Sequence, residues 1–256
     1  MSEQAAALNP QAAHFARVHS AYVESYYDPP SMEYRRRFLT PLILRDIDLN
    51  GKTVADIGCG GGANSADLIH TFPGAVLFGF DIVSELTSLY TAETGRPAYC
   101  LDFTTPLPAE FCGRFDYVFA LGVLHHMVRG LDTAMKNIHA MLKPGGIVVA
   151  VEPSSRFFLE HLRKVWYRLD PSFDSETEAA IDARDLSRQY ADKFETLHTH
   201  YVGGPAFFLI LQSMVLRIPY GLKTAIAKPS FLVESLCNKI PMPQLKNMFV
   251  VHMRRK

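Results

Sequence analysis

Residues 54–62 read VADIGCGGG. Apolar residues run into an aspartate, and Gly58, Gly60, Gly61 and Gly62 follow at once. Glycine lets a chain turn tightly after a strand and bring its backbone against a ligand. A helix starting near Ala63-Asn64 would aim its terminal N–H groups at the same place. The arrangement suits a nucleotide-like ligand, but Gly58-x-Gly60-x-x-Ala63 also fits the dinucleotide fingerprint, so the glycines alone do not choose. Three carboxylates narrow the choice. Asp56 precedes the first glycine, where a negative charge disfavours a pyrophosphate and favours a ligand with an ammonium and a sulfonium. Asp81, some twenty positions further on, can accept from a ribose diol, as in NAD sites. Asp102 is placed to accept from an adenine amino group. His125 and His126 add a candidate proton acceptor, because imidazole titrates close to neutrality. A role in entering a helix or packing on the ligand competes with that reading.

These residues need elements to hold them. Short apolar runs at TVADI (53–57), AVLFGFD (75–81), AYCL (98–101), FDYVFAL (115–121) and IVVAV (147–151) alternate little. Parallel strands buried on both faces look like this. Helical patterns lie between them near 63–71, 83–91 and 129–142. Repeated βα units predict an α/β fold with a doubly wound, mostly parallel sheet. Each candidate carboxylate then sits at or just after a strand's carboxyl end.

Ahead of the core, Phe15, Val18, Tyr22 and Tyr26 share a helical face. A second helix is expected from Ser31, as its cap, to about 45, with a kink at Pro41. Arg35, Arg36 and Arg37 read as a solvated face of it. After the fifth strand, 155–193 is a helical excursion. Ser175 and Glu178 form a candidate capping box, and Trp166 with Phe158, Leu162, Val165 and Leu169 forms a packing stripe. Phe194 to Tyr201 and MFVVHM (248–253) read as the last two strands.

The 256 residues carry no formal net charge and are 48% hydrophobic, which supports a packed core and argues against a nucleic-acid partner. Cys59, Cys100, Cys112 and Cys237 form no CxxC pair and read as free thiols. The histidines form no HxxxH pair with acidic company, and His198-x-His200, which shares a strand face, reads as chance or surface, so no metal site is expected. The opening MSEQAAALNP lacks the features of a secretory signal, and a cytoplasmic location is expected.

VADIGCGGG (54–62), GFDIV (79–83), CLDF (100–103), FDYVFALGVLHHM (115–127) and MLKPGGIVVAVEP (141–153) together resemble the class I S-adenosylmethionine-dependent methyltransferases, small-molecule branch. The resemblance implies one domain of 1–256 on the Rossmann-like methyltransferase fold. Its parts would be a helical N-terminal cap over 1–50, a cofactor-binding core over 51–153, and substrate-lid helices with the final strands over 154–256. The sheet would have seven strands, the last antiparallel, and Pro144-Gly145-Gly146 would turn the chain into strand five. S-adenosyl-L-methionine would lie against Asp56, Gly58, Cys59, Gly60, Asp81, Ile82, Asp102, Phe103 and Leu121. His125 or His126 would be the catalytic base, although displacement at a sulfonium methyl can proceed on alignment alone. Glu152 would face the substrate or cap a helix, and Tyr22, Tyr26 and Tyr27 would close over the cofactor or pack in a helix. The insertions rich in Phe, Leu, Ile and Met imply a small, largely apolar acceptor such as a quinone, polyketide, terpenoid or lipid. A cyclase or pericyclase, a non-catalytic partner subunit on the same fold, and an NAD-type oxidoreductase are the rival readings.

Residues 205–256 hold eight basic side chains and a single acid, Glu234. They include the apolar run PAFFLILQSMVLRIP (205–219), too short to span a bilayer. Two readings compete for this run: a pocket wall, or peripheral contact with an anionic membrane through Phe207, Phe208, Leu209 and Leu211.

Overall fold

The structure, a computed structural model, describes residues 25–160, 179–213 and 215–256. The expectations for Phe15, Val18, Tyr22, Leu162, Val165, Trp166, Leu169, Ser175 and Glu178 lie outside the described residues. Seven strands form one sheet: β1 (Thr53–Ile57), β2 (Val76–Asp81), β3 (Ala98–Cys100), β4 (Phe115–Leu121), β5 (Leu142–Pro153), β6 (Phe194–Val202) and β7 (Met248–Arg255). Their order across the sheet is β3-β2-β1-β4-β5-β7-β6. The pairings among β1 to β5 are parallel, and β7 is inserted antiparallel to both β5 and β6. The doubly wound, seven-stranded sheet is therefore the one expected.

Strand alternation divides the core in two. Ala55, Ile57, Val118, Ala120, Val148, Ala150, Phe249 and Val251 face one side. There they meet α5 (Leu131–Met141) and α6 (Ala183–Gln189) through Met135, Ile138 and Leu186. Val54, Phe119, Val149, Val151 and Val250 face the other. Covering that side are α3 (Ala63–Thr71), the N-terminal cap and α7 (Tyr220–Asn238). Helix α4 (Ser84–Thr94) packs beside β2 and β3.

Three local expectations shift. Pro144-Gly145-Gly146 lies inside β5, as a bulge between the Phe115–Leu142 and Tyr117–Ile147 pairs, with Gly145 at φ 75°. In the cap, α1 (Pro29–Tyr34) begins after Asp28 and not at Ser31. Asp28 Oδ1 accepts from Ser31 N (2.9 Å), and prolines follow where missing N–H groups cost nothing. A π-helical turn, Arg35–Leu39, joins α1 to α2 (Thr40–Ile43). Pro41 cannot donate to the carbonyl four residues back, and the widened turn just before it relieves that conflict. The third shift concerns 205–219: Phe207, Ile210 and Leu211 are buried in the second core. That burial favours the packed reading for these three side chains, while Phe208 and Leu209 are half-buried and Leu216 is exposed.

A buried polar clip ties the cap to α7. Lys223 Nζ donates to Ser31 Oγ (2.7 Å) and Ser25 O (2.7 Å), and pairs with Asp28 Oδ2 (2.6 Å). Tyr34 Oη donates to Glu234 Oε1 (2.7 Å). The other donors to Glu234 are Gly204 N (2.8 Å) and Ala206 N (3.0 Å). Removing one partner of a buried pair leaves the other charge uncompensated. Lys223→Met should therefore lower unfolding free energy by about 3–5 kcal/mol in urea titrations. Adding Asp28→Asn, which keeps a helix cap and removes the stranded charge, should restore a large part of the loss.

Candidate functional site

The loops leaving β1, β2, β3 and β4 ring a cavity of about 550 Å³. Gly58 and Gly60 line it from the β1 loop, Asp81 and Ile82 from β2, Asp102 and Phe103 from β3, and Leu121 from the end of β4. His126 stands on the wall beyond β4. The structure thus brings together eight of the eleven residues expected at the site and leaves Asp56, Cys59 and His125 off the cavity wall.

The glycine loop is pinned by its neighbours. Gly58 N and Cys59 N both donate to Phe80 O (2.8 and 3.1 Å). Gly60 N donates to Asp81 Oδ2 (2.9 Å), and Val83 N to Asp81 Oδ1 (3.0 Å). Both oxygens of Asp81 are thus fixed at the mouth of the cavity. Gly58 sits at φ 68°, and a Cβ there would come within 2.6 Å of a Val123 methyl. Backbone conformation and space both require glycine. Asp102 Oδ1 accepts from the N and Oγ1 of Thr104 (2.8 and 2.6 Å), which closes a tight turn around the carboxylate.

Asp56 departs from its expected place because of strand alternation. Ile57 faces the cavity side, so Asp56 points the other way, under α3. It is 2% exposed and accepts from Ser65 Oγ (2.7 Å), which in turn accepts from Tyr90 Oη (3.0 Å). Burial pushes its carboxyl up to about 7; the Ser65 hydrogen bond opposes that rise and the Asp81 charge adds to it. Cys59 is buried beneath the loop beside Gly79, and burial pushes its thiol well up.

His125 stands one layer behind His126, their ring centroids 3.8 Å apart. Its Nδ1 lies 2.6 Å from Glu152 Oε2, on a carboxylate with no exposed surface. The same carboxylate accepts from Val123 N (3.1 Å), Leu124 N (2.8 Å) and His125 N (3.2 Å). Glu152 therefore caps the short 3-10 turn Leu124–His126, the helix-cap role of the two expected. Ala179 N donates to His125 O (3.1 Å), so the chain re-enters the described structure against this turn.

Among the wall residues outside the expected set, Arg35, Tyr27, Asn64 and Arg129 carry polar side chains. Arg35 leaves its expected solvated face and lines the cavity, while Arg36 and Arg37 stay exposed. Its guanidinium lies 4.8 Å over the Tyr27 ring and donates to Asn64 Oδ1 (3.1 Å). Tyr27 and Asn64 share that wall, Asn64 donating to Tyr27 Oη (3.4 Å). Tyr27 thus takes the closing role foreseen for the tyrosines, whereas Tyr26 is buried in the second core. Arg129 enters from the turn after His126. The sequence carried no signal that singled out Arg35 from its two arginine neighbours. Arg129 carried none.

His198 and His200 do share a face, with ring centroids 6.1 Å apart. Arg45 lies 2.8 Å from His200 Nε2. Among the described residues no cluster of three or more His, Cys, Asp or Glu is suited to a metal, and no helix is long and apolar enough to cross a membrane.

A family model described as a methyltransferase domain matches residues 55–148. A ubiquinone biosynthesis O-methyltransferase of Proteus mirabilis is 32% identical over 127 residues, 47% of each chain. The chain spans about half the length of the curated relatives it matches first. A ubiquinone biosynthesis O-methyltransferase of Bordetella pertussis is 31% identical over 185 residues, which cover 64% of this chain and 76% of that one. The chain belongs to the class I S-adenosylmethionine-dependent methyltransferases. In solved structures the fold recurs in N-methyltransferase NodS from Bradyrhizobium japonicum, with a TM-score of 0.58 at 14% identity, over 94% of this chain and 98% of that one.

The cavity suits the cofactor of the S-adenosylmethionine-dependent methyltransferases. Asp81 and Asp102 put carboxylates on its wall. Ile82 and Phe103 offer apolar surface between them, and Gly58 and Gly60 leave room for close approach.

Two outcomes follow from this geometry. Asp81→Ala removes charge-assisted hydrogen bonds worth about 1.5–3 kcal/mol each. Calorimetry should show S-adenosylhomocysteine affinity down at least ~10-fold in a folded variant. For Asp56, the folded carboxyl holds its proton to about 7, whereas the ordinary value is 3.8. The folded state binds the extra proton between those values, so this group's contribution makes stability fall as pH rises through that window and then level off. Asp56→Asn should lack this component, seen as a flatter profile of unfolding free energy from about pH 4 to 7.

Proposed function

We propose that this chain transfers a methyl group from S-adenosylmethionine to a hydroxyl of a small, largely apolar acceptor, with the His125–His126 turn managing the acceptor's proton. The observation that supports it most is the Glu152–His125 pair, 2.6 Å apart, behind a cavity wall that adjoins the glycine loop and Asp81. Bound cofactor supplies an activated methyl on a positively charged sulfur. The Glu152–His125 pair fixes the turn from behind, and His126, which lines the cavity, is the imidazole placed to take the proton of a hydroxyl as the oxygen attacks or to pack against the bound cofactor. Alignment within the cavity contributes the rest of the rate.

The acceptor class draws on two supports. Leu121, Val123 and Met127 give the His126 side of the cavity an apolar wall. Several of the curated relatives are named ubiquinone biosynthesis O-methyltransferases, which supports a phenolic hydroxyl on a quinone-like ring. A peripheral membrane position would keep such an acceptor at hand. Asp56 and Cys59, off the wall, support the glycine loop from beneath.

Incubation with methyl-labelled S-adenosylmethionine and a fractionated lipid extract should label an apolar product, with S-adenosylhomocysteine formed in step. Acceptor conversion without S-adenosylhomocysteine would replace methyl transfer with another use of the bound cofactor. His125→Ala or His126→Ala, whichever carries the base, should lower kcat by roughly 10²–10⁴ with S-adenosylhomocysteine affinity retained. Near-parental turnover in both variants would remove the base from the mechanism and leave alignment alone.

A further inference from the structure

Helix α7 presents two contrasting sides. Lys223, Ala227, Ser230, Phe231 and Glu234 are buried against the cap and the second core. The opposite side carries Leu222, Leu232, Val233 and Leu236, exposed by 53%, 66%, 45% and 57%. Ile240 and Met242 continue the same surface just beyond the helix, at 42% and 49%. Of the large hydrophobic side chains exposed among the described residues, most fall between 216 and 242. Leu222, Pro229, Leu232, Leu236 and Ile240 recur at three-, four- and seven-residue spacing, a single stripe along the helix. An apolar stripe this continuous on a surface marks a contact.

The charges bordering it have one sign. Lys228 and Lys239 flank the stripe, and Arg217 lies just before the helix; all three are exposed. The other two lysines of the region, Lys223 and Lys246, are buried. The lone acid between 205 and 256, Glu234, is fully buried and held by Tyr34 and two backbone amides. Nothing negative on this segment offsets the exposed cations. A protein partner covering the stripe would need anionic groups around an apolar centre. An anionic bilayer surface has that composition by construction, and a helix with an apolar face and basic flanks lies in such an interface. Since Phe207, Ile210 and Leu211 are buried and the continuous exposed stripe lies on α7, α7 and not the 205–219 run is the docking element.

We propose that the exposed face of α7 and the following turn seats this protein on an anionic lipid surface, with Leu232, Leu236 and Ile240 entering the headgroup–acyl boundary and Lys228 and Lys239 on the headgroups. The helix lies in the surface plane, roughly 28 Å long at about 1.5 Å per residue. Binding of this kind weakens with salt, because the charge component is screened over a Debye length.

The test is sedimentation of the full chain with vesicles of phosphatidylcholine alone and of equal parts phosphatidylcholine and phosphatidylglycerol. Capture is expected on the mixed vesicles at low salt, reduced at high salt, and weak on phosphatidylcholine alone. Leu232→Glu with Leu236→Glu should abolish capture. Neutralising Lys228 and Lys239 to Gln should weaken it about fivefold per lysine. Leu89→Glu, on α4 away from this face, should change nothing. Unchanged circular dichroism and S-adenosylhomocysteine affinity in each variant separate this surface from the cofactor cavity. Absence of capture on the mixed vesicles at low salt would overturn the proposal, as would full capture of the folded Leu232→Glu, Leu236→Glu variant. Self-association that the same pair of substitutions abolishes, without vesicle binding, would assign the face to a second copy of the chain instead.

Discussion

Buried carboxylates that accept backbone N–H groups hold this site together. A loop leaving a buried strand end carries amides that lose water and must find partners. Asp81 takes those of Gly60 and Val83, and Glu152 takes those of Val123, Leu124 and His125. Each carboxylate spans two segments that the sequence separates. Charge-assisted bonds of this kind are stronger than neutral ones. The geometry of the cavity is thus set before any ligand arrives. The contact between Gly58 and Val123 shows the interdependence: Val123 is held by Glu152, and its methyl in turn excludes any side chain at 58.

Most of the sheet was legible from the sequence because buried parallel strands are short apolar runs with punctuating glycines. The strand ends then located Asp81, Ile82, Asp102 and Phe103, since ligands gather at the carboxyl edge of such sheets. Asp56 shows where that reasoning stops. Proximity to the glycines said nothing of which face of β1 it would occupy, and period-two alternation turned it under α3 onto Ser65. Arg35 failed for another reason. In a run of three arginines the charge pattern is uniform, and only tertiary placement of the cap decides which guanidinium turns inward. The 205–219 run left two readings open for the same reason: an apolar stretch is equally consistent with a core and with a lipid contact until its neighbours are known.

Glu152 illustrates a different gap. Its position at the end of β5 was plain, yet its role depends on the turn after β4, its neighbour in the sheet. Parallel pairing of Leu121 with Val151 brings the two strand ends level. A carboxylate at 152 then meets the amides of 123–125 directly. The consequence for chemistry is that a histidine already bound through its backbone is bound again through its ring, so the imidazole has little freedom left.

The two sides of the cap are linked by consecutive residues. Tyr34 reaches α7 through Glu234, and Arg35 reaches the cavity through Asn64 and Tyr27. The Lys223–Asp28 pair fixes the start of the same helix to α7. A displacement of α7 relative to the sheet would therefore be carried through one helical turn to the wall that Arg35 and Tyr27 supply. Conversely, the rigidity of that wall depends on how firmly α7 is held. In this arrangement the apolar stripe on the outer side of α7 and the cavity on the inner side of the cap are separated by a single layer of buried polar contacts. Because the polar groups in that layer bond one another across it, the layer resists sliding, and the outer surface and the cavity wall keep a fixed relation.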